Sequence, residues 1–285
     1  MSHRRTAYLV LFLVALQAAA ASPAASAEPA STPGGAALRR VPELEGGYRF
    51  LYEQKFLEAR EQFTGWSREN PGDPFGNAST AASYLFEEFY RQGVMTSGYF
   101  LDDDRFLHGI DGKPDAARMS AFNEALARAR QTSAQRLKKD PADADALFAL
   151  TLCAGMQSNA LSILEKKNLD GLRQLKQANA YAERLLSAKP DTADAWLALG
   201  SANYIIGCLS GPVRFFLWFG GFHGDRTLGM QQLQKTAAGG NYLKPYAKIL
   251  LALAARREGQ EDLARRLLRE LTLEFPASPL PAATQ

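Results

Sequence analysis

Two histidines that follow the N-terminal segment are the first candidates for proton transfer or metal binding. His108 lies in the acid-rich stretch YFLDDDRFLHGIDGKPD, residues 99–115, and His223 lies two residues before Asp225. The carboxylates of 99–115 do not follow the D-x-D-x-D-G spacing of a calcium loop. No H-x-x-x-H or C-x-x-C pair is present for zinc. We interpret 99–115 as a solvated acidic loop, with a weak calcium site as the alternative, and His223 as a hydrogen-bonded turn residue rather than a general base.

No other residue pattern supports catalysis. The chain contains no G-x-S-x-G nucleophile elbow and no glycine-rich phosphate loop that ends in Lys-Ser/Thr. The sequence therefore predicts a protein that is not an enzyme, with no catalytic residues, no metal site and no cofactor. The two cysteines, Cys153 and Cys208, lie in apolar helical segments. A disulfide between them is possible in an oxidising compartment, and buried free thiols are the alternative.

The elements that position these residues follow a recurring spacing of alanine and proline. An alanine precedes a proline by twelve residues four times, at Ala59–Pro71, Ala129–Pro141, Ala178–Pro190 and Ala264–Pro276. A small alanine lets two helices approach closely, and a proline cannot continue a helix. The spacing predicts repeated pairs of helices, each pair ended by its proline.

With Trp196, Leu199 and Gly200 after Pro190, this pattern resembles the tetratricopeptide repeat superfamily. The resemblance covers most of residues 43–276 and implies an all-α fold, an α-solenoid of about five helix pairs. A plain unit takes about 34 residues. The longer intervals between prolines therefore predict insertions near 93–115 and 208–225.

The first helix of each pair lines a concave groove in this superfamily, and here these helices are apolar on nearly every side. The residues expected on the groove face are Phe148, Leu152, Leu197, Ser201, Tyr204, Ile249 and Leu253. The Lys, Arg and Asn residues that hold a peptide carboxylate in this superfamily are mostly missing, so a carboxylate clamp is not expected. Because a helix with no polar face is normally buried, the groove needs an apolar cover.

A concentrated aromatic run, GPVRFFLWFGGFHGDR at 211–226, is the candidate cover. Its aromatic residues are Phe215, Phe216, Trp218, Phe219 and Phe222. The main expectation is that this insertion folds into the groove and completes the core. It could instead form the lid or wall of a site for an apolar ligand or peptide. A third interpretation is an exposed patch that contacts a membrane interface or a partner protein.

The chain begins with the features of a secretory signal peptide. His3, Arg4 and Arg5 precede an apolar run over 7–21, and Ala25-Ser26-Ala27 fits the small-residue cleavage pattern. An uncleaved anchor is the alternative. We expect cleavage near Ala27, followed by three segments: a flexible leader at 28–41, the helical domain at 42–276 and a C-terminal tail at 277–285.

Export also limits which partners are expected. Removal of residues 1–27 removes two arginines and no acidic residue, which lowers the formal net charge from +3 to +1. This near-neutral charge gives no electrostatic reason to expect nucleic-acid binding.

The segment GFHGDRTLGMQQL at 221–233 resembles the GF-x-GDR-x-x-G segment of the tetratricopeptide repeat domain 39 family and its fungal mitochondrial relatives. Those relatives are intracellular, so their roles are not transferred to a chain with an export signal. The likeness implies a structural role, in which Asp225 and Arg226 cap and pin the start of a helix and the neighbouring glycines permit tight turns.

These features predict a periplasmic scaffold or adaptor of the bacterial cell envelope that binds a protein or peptide partner and is at most peripheral to the membrane. The alternative is a periplasmic carrier of an apolar small molecule or lipid. Such a carrier would be similar to the helical companion proteins of tripartite solute transporters, and it predicts an open apolar cavity.

Export has a direct test. A reporter enzyme that is active only outside the cytoplasm, fused after Gln285, is expected to be active because the signal peptide carries the fusion across the inner membrane. The same fusion without residues 1–27 is the control and is expected to be silent. Silence of the full-length fusion would contradict the prediction.

Overall fold

The computed structural model describes residues 38–96, 99 and 109–278, which contain eleven α-helices and no β-strand. The helices are α1 (Pro42–Tyr52), α2 (Phe56–Glu69), α3 (Pro74–Arg91), α4 (Ala116–Lys139), α5 (Ala144–Asn159), α6 (Asn168–Ala188), α7 (Trp196–Cys208), α8 (Gly211–Phe219), α9 (Arg226–Gly239), α10 (Lys244–Arg257) and α11 (Glu261–Glu274). A π-helical turn, Ala160–Leu164, extends α5, and a 3₁₀ turn, Ala193–Ala195, precedes α7. The all-α prediction is confirmed.

Several predicted features lie outside the described residues: the signal peptide at 1–27, most of the leader at 28–41, the middle of the insertion at 93–115, His108 with Asp102, Asp103 and Asp104, and most of the tail at 277–285.

The helices contact one another in chain order. Five pairs form, α1 with α2, α3 with α4, α5 with α6, α7 with α9, and α10 with α11, and the second helix of each pair also contacts the first helix of the next. The alanines of the alanine–proline spacing, Ala59, Ala129, Ala178 and Ala264, are all at most 1% exposed. Each lies on the second helix of its pair, where a small side chain permits close packing.

The fourth pair uses glycines for the same purpose. A Cβ atom placed on Gly229 of α9 would lie 2.5 Å from the backbone nitrogen of Tyr204 on α7. One placed on Gly200 of α7 would lie 2.8 Å from the backbone nitrogen of Leu233. Both distances are too short for a real side chain, so these glycines permit the close contact of α7 and α9. Helix α8 lies between these two helices in the chain, within the predicted insertion at 208–225.

Aspartate residues occupy the N-cap positions of several helices. The Oδ1 atoms of Asp143 and Asp225 accept hydrogen bonds from Ala146 N and Leu228 N, each at 2.9 Å. A carboxylate in this position satisfies backbone N–H groups that have no partner within the helix and also favours the positive end of the helix dipole. The predicted capping role of Asp225 is therefore confirmed.

The first and last helix pairs contact each other. The ring centroids of Tyr52 on α1 and Phe275, just after α11, lie 5.6 Å apart. The Ser278 hydroxyl donates a hydrogen bond to the backbone oxygen of Tyr52 at 2.7 Å. These contacts join residues more than 220 positions apart, so the described helices do not form an open superhelix.

Tyr242, in the turn between α9 and α10, lies at the centre of this closed arrangement. Its ring centroid lies 4.6 Å from that of Phe75, 5.5 Å from that of Tyr48 and 6.3 Å from that of Phe148. Its hydroxyl accepts a hydrogen bond from the Val41 backbone nitrogen at 2.9 Å and donates one to the Arg39 backbone oxygen at 2.8 Å. One side chain therefore links α1, α3, α5 and the start of α10.

The carboxylate of Asp194, just before α7, holds this turn in place. Its oxygens accept hydrogen bonds from the backbone nitrogens of Asn241 (2.8 Å), Tyr242 (3.2 Å) and Leu243 (2.8 Å). Burial raises the pKa of the Asp194 carboxyl, and the three N–H donors oppose that rise. The carboxylate thus fixes the turn that precedes α10 from the start of a different helix pair.

Replacement of this carboxylate is expected to destabilise the fold. Asp194→Ala leaves three backbone N–H groups without their acceptor in a buried position, and we expect it to lower the free energy of unfolding by about 3 kcal/mol. Urea unfolding followed by circular dichroism measures this change. Asp191→Ala, at an exposed position three residues earlier, is the control and should change the free energy by less than about 0.5 kcal/mol. Equal effects of the two substitutions would contradict the role of Asp194.

Candidate functional site

The residues expected on the groove face belong mainly to the core. Phe148 is 1% exposed and its ring lies 5.1 Å from that of Phe75. The Tyr204 hydroxyl contacts the backbone oxygen of Ala254 and Oε1 of Glu258, both at 3.3 Å, and so joins α7 to α10. Leu253 is also buried, whereas Leu152, Leu197, Ser201 and Ile249 are half-buried. Phe148, Tyr204 and Leu253 are thus covered within the fold, as the expected need for an apolar cover implies, and their part in binding a partner or ligand stays a prediction.

The aromatic insertion does not cover that face either. It forms α8, none of whose residues is buried. The exposed fractions are 45% for Val213, 59% for Phe215, 70% for Phe216, 57% for Trp218 and 68% for Phe219. The expectation that 211–222 folds into the groove and completes the core is therefore wrong. We call these five side chains the aromatic surface.

The rings of the aromatic surface pack against one another. The centroid of Phe219 lies 5.1 Å from that of Phe215 and 5.2 Å from that of Trp218, both in edge-to-face geometry. The centroids of Phe215 and Phe216 lie 6.0 Å apart. Edge-to-face pairs of this kind are attractive. The surface is therefore formed before any partner binds.

The segments on either side of α8 fix its position. Arg214 donates a hydrogen bond from Nη1 to the backbone oxygen of Gly207 at 3.3 Å. Gly221 has a φ of +75°, in the region that favours glycine, and a Cβ on Gly224 would lie 2.4 Å from the backbone nitrogen of Gly207. Asp225 then begins α9. The turns expected at these glycines are confirmed, and they hold α8 between two helix ends.

The charge around the aromatic surface is positive. Residues 195–224 contain no Asp or Glu. Arg214 lies on α8 itself, and Lys176 of α6 lies 5.5 Å from the centroid of Phe222 and 3.4 Å from the backbone oxygen of Gly220. No pattern in the chain could link Lys176 to a segment more than 40 residues away.

The cysteines are free thiols. Cys153 is buried and Cys208 is half-buried, and they form no disulfide. Burial raises the pKa of the Cys153 thiol to about 12 and also raises the pKa of Cys208. Because the thiolate is the reactive form, both are poor nucleophiles at neutral pH.

The structure offers few other indications of function. Among the described residues, no group of three or more His, Cys, Asp or Glu side chains is placed to hold a metal ion. In the described part of the chain, one helical stretch, Ala144–Leu164, is long and apolar enough to cross a membrane, and 67% of its most apolar 18-residue segment is buried inside the fold. Comparison of the chain with protein-family models and with curated proteins finds no match. The function is therefore inferred from the surface itself.

The contrast between the core and the aromatic surface can be tested with one substitution type. Phe216→Ala removes an exposed ring and should change the free energy of unfolding by less than about 0.5 kcal/mol. Phe148→Ala leaves a cavity among packed rings and should lower it by about 3–5 kcal/mol. Urea unfolding of both variants measures the difference. A large loss of stability in Phe216→Ala would show that α8 is part of the core.

Proposed function

We propose that this protein is an exported adaptor of the cell envelope that binds a partner protein through the aromatic surface of α8. The observation that carries the proposal is the exposure of five large apolar side chains in one nine-residue helix. Contiguous exposed apolar patches usually mark interaction sites, and aromatic residues supply much of the binding energy at protein interfaces. Single exposed residues such as Leu273, which is 83% exposed, are ordinary on a protein surface.

The size of the aromatic surface is sufficient for an anchor. An aromatic side chain buries about 150–250 Å². The four rings are more than half exposed, so a partner that covers them removes on the order of 400–500 Å² of apolar area from water. At about 25 cal/mol per Å² this is worth roughly 10 kcal/mol. The loss of translational and side-chain freedom offsets much of this gain, and the remainder is typical of a specific but reversible contact.

A tetratricopeptide-type architecture agrees with the helix contacts. The five pairs, the contact of each second helix with the next first helix, and the buried alanines support this proposal. In this architecture the five packed helix pairs carry one short exposed helix, α8. Binding elements are often found on such segments, because a stable scaffold positions them without requiring them for folding.

A membrane interface is the second candidate for the binding partner of α8. Trp and Phe side chains together with basic residues favour the boundary between lipid headgroups and acyl chains. Arg214, Lys176 and the lack of acidic residues over 195–224 favour contact with anionic lipids. The carrier function is less well supported, because the aromatic rings around Tyr242 fill the centre of the fold.

Site-specific crosslinking tests the proposed function. A photo-reactive phenylalanine analogue at position 216 of the full chain, expressed in its own host, is expected to crosslink to one discrete protein, because this ring is 70% exposed and lies in the aromatic surface. The same analogue at Leu273, on α11, is the matched control and should give no discrete product. Mass spectrometry identifies the adducts. Phe215→Ser and Phe219→Ser in the crosslinking chain should abolish the product.

Two other results would contradict the adaptor proposal. Adducts to lipid alone at position 216 would favour the membrane candidate. In that case the purified chain should also bind vesicles that contain anionic lipids, and do so less at high salt. Equal products from positions 216 and 273 would show that α8 has no special role.

A further inference from the structure

An open cleft of about 460 Å³ lies between α4 and α6, with α5 as its floor. The floor and one wall are apolar and consist of Leu137, Leu150 and Ala154. Three cationic side chains lie around them, Arg130 and Lys138 from α4 and Arg184 from α6. None of the described residues that line the cleft is acidic. The cleft thus combines apolar and cationic side chains, unlike the packed rings around Tyr242 and unlike the aromatic surface of α8.

The three cations are not neutralised within the described part of the chain. Arg130 donates a hydrogen bond to the Gln174 amide oxygen at 3.4 Å, and Arg184 donates one to the backbone oxygen of Pro141 at 3.1 Å. Neither these arginines nor Lys138 has a carboxylate within ion-pair distance among the residues that the structure describes. Like charges repel one another, and an anion among the three cations would relieve that repulsion.

In the preceding helix pairs, cationic side chains are paired with carboxylates. Arg60 on α2 and Arg118 on α4 are both paired with Glu87 on α3, and Arg118 is also paired with Glu88 at 2.6 Å. The cations between α2 and α4 are thus neutralised by acidic residues on the helix between them. Helix α5, which occupies the corresponding position between α4 and α6, contributes apolar Leu150 and Ala154 to the cleft. Asp145, at the start of α5, pairs with Arg136 of α4 at 3.3 Å, but neither residue lines the cleft, where the cations have no such partner among the described residues.

The dimensions of the cleft limit what can enter it. Arg130 and Lys138 are eight residues apart on one helix, which corresponds to about 12 Å along its axis. A volume of about 460 Å³ over that length leaves a cross-section on the order of 40 Å². This is about half the cross-section of an α-helix about 10 Å across, so the cleft cannot enclose a helical peptide. The volume lies within the range of about 300–1,000 Å³ that is usual for small-molecule sites.

We propose that this cleft binds a small organic anion with an apolar body, of the class of a medium-chain carboxylate. The carboxylate is held between Lys138 and Arg184, which lie near the carboxyl ends of α4 and α6. Charge-assisted hydrogen bonds from guanidinium and ammonium groups suit a carboxylate. The aliphatic chain extends along Leu137, Leu150 and Ala154, and the Tyr181 ring, 6.0 Å from the Arg184 guanidinium, lines the opposite wall. This site does not depend on the adaptor function.

Three probes test the chemistry of the site by isothermal titration calorimetry with the purified chain. Decanoate has both the anionic head and the apolar body and is expected to bind with one molecule per chain. Decanol lacks the charge and should bind at least about tenfold more weakly. Acetate lacks the apolar body and should give no measurable binding. Equal binding of decanol and decanoate, or no binding of decanoate, would overturn the proposal.

Substitutions test the location of the site. Arg184→Gln and Lys138→Gln should each raise the dissociation constant for decanoate about tenfold. Ala134→Trp, at an exposed position on the wall of the cleft, should fill the space and abolish binding. Arg173→Gln is the matched control, because Arg173 lies on the same helix, 75% exposed and paired with Asp170, and does not line the cleft. The affinity of the Arg173→Gln variant for decanoate should be unchanged.

The fold of each variant can be checked by its helical circular dichroism spectrum. All four substituted residues lie at least partly at the surface, so native spectra are expected. Unchanged affinity in both Arg184→Gln and Lys138→Gln would overturn the assignment of the cleft. So would a loss of affinity in Arg173→Gln equal to theirs.

Discussion

The packing of Tyr242 between the two ends of the helical domain is the constraint on which the rest of the structure depends. Its ring contacts those of Tyr48, Phe75 and Phe148, and its hydroxyl and backbone oxygen bond to the segment before α1 and to Tyr52. Asp194 fixes the turn that carries it. Because this contact closes the series of helix pairs, the apolar first helices are covered by one another and by Tyr242. They need no cover from the aromatic insertion.

Closure explains why both surfaces that we propose as binding sites lie on the outside of the fold. A closed aromatic centre is a packed core, and packed cores resist the removal or addition of volume. The aromatic insertion is then available as a separate exposed helix whose rings contact mainly one another. The cleft between α4 and α6 is likewise an external feature, and there α5 contributes apolar Leu150 and Ala154 rather than a carboxylate. The residues proposed to bind are therefore different from those that form the core.

The sequence predicted the features that depend on short spacings. Helix pairs, their proline ends, the buried alanines and the cap at Asp225 all follow from residues within about 30 positions of each other. Closure could not be predicted, because Tyr52 and Tyr242 are 190 residues apart and no local pattern records their contact. The sequence also could not show whether the aromatic run is buried or exposed, because an aromatic helix can have the same composition in either place. The cleft was missed because its cations lie on two helices whose individual patterns are those of ordinary solvated faces.

Hydroxyl-radical footprinting with mass spectrometry tests the central claim most directly, because it reports which aromatic rings contact water in the folded chain. Our account predicts rapid oxidation of Phe216, Trp218 and Phe219, at rates close to those of an unfolded peptide. It predicts strong protection of Tyr242, and of Tyr48 and Phe148 around it. Rapid oxidation of Tyr242 and Phe148 would show that the helix pairs are open rather than closed. Protection of the α8 rings in the monomeric chain would show that the insertion covers the fold after all.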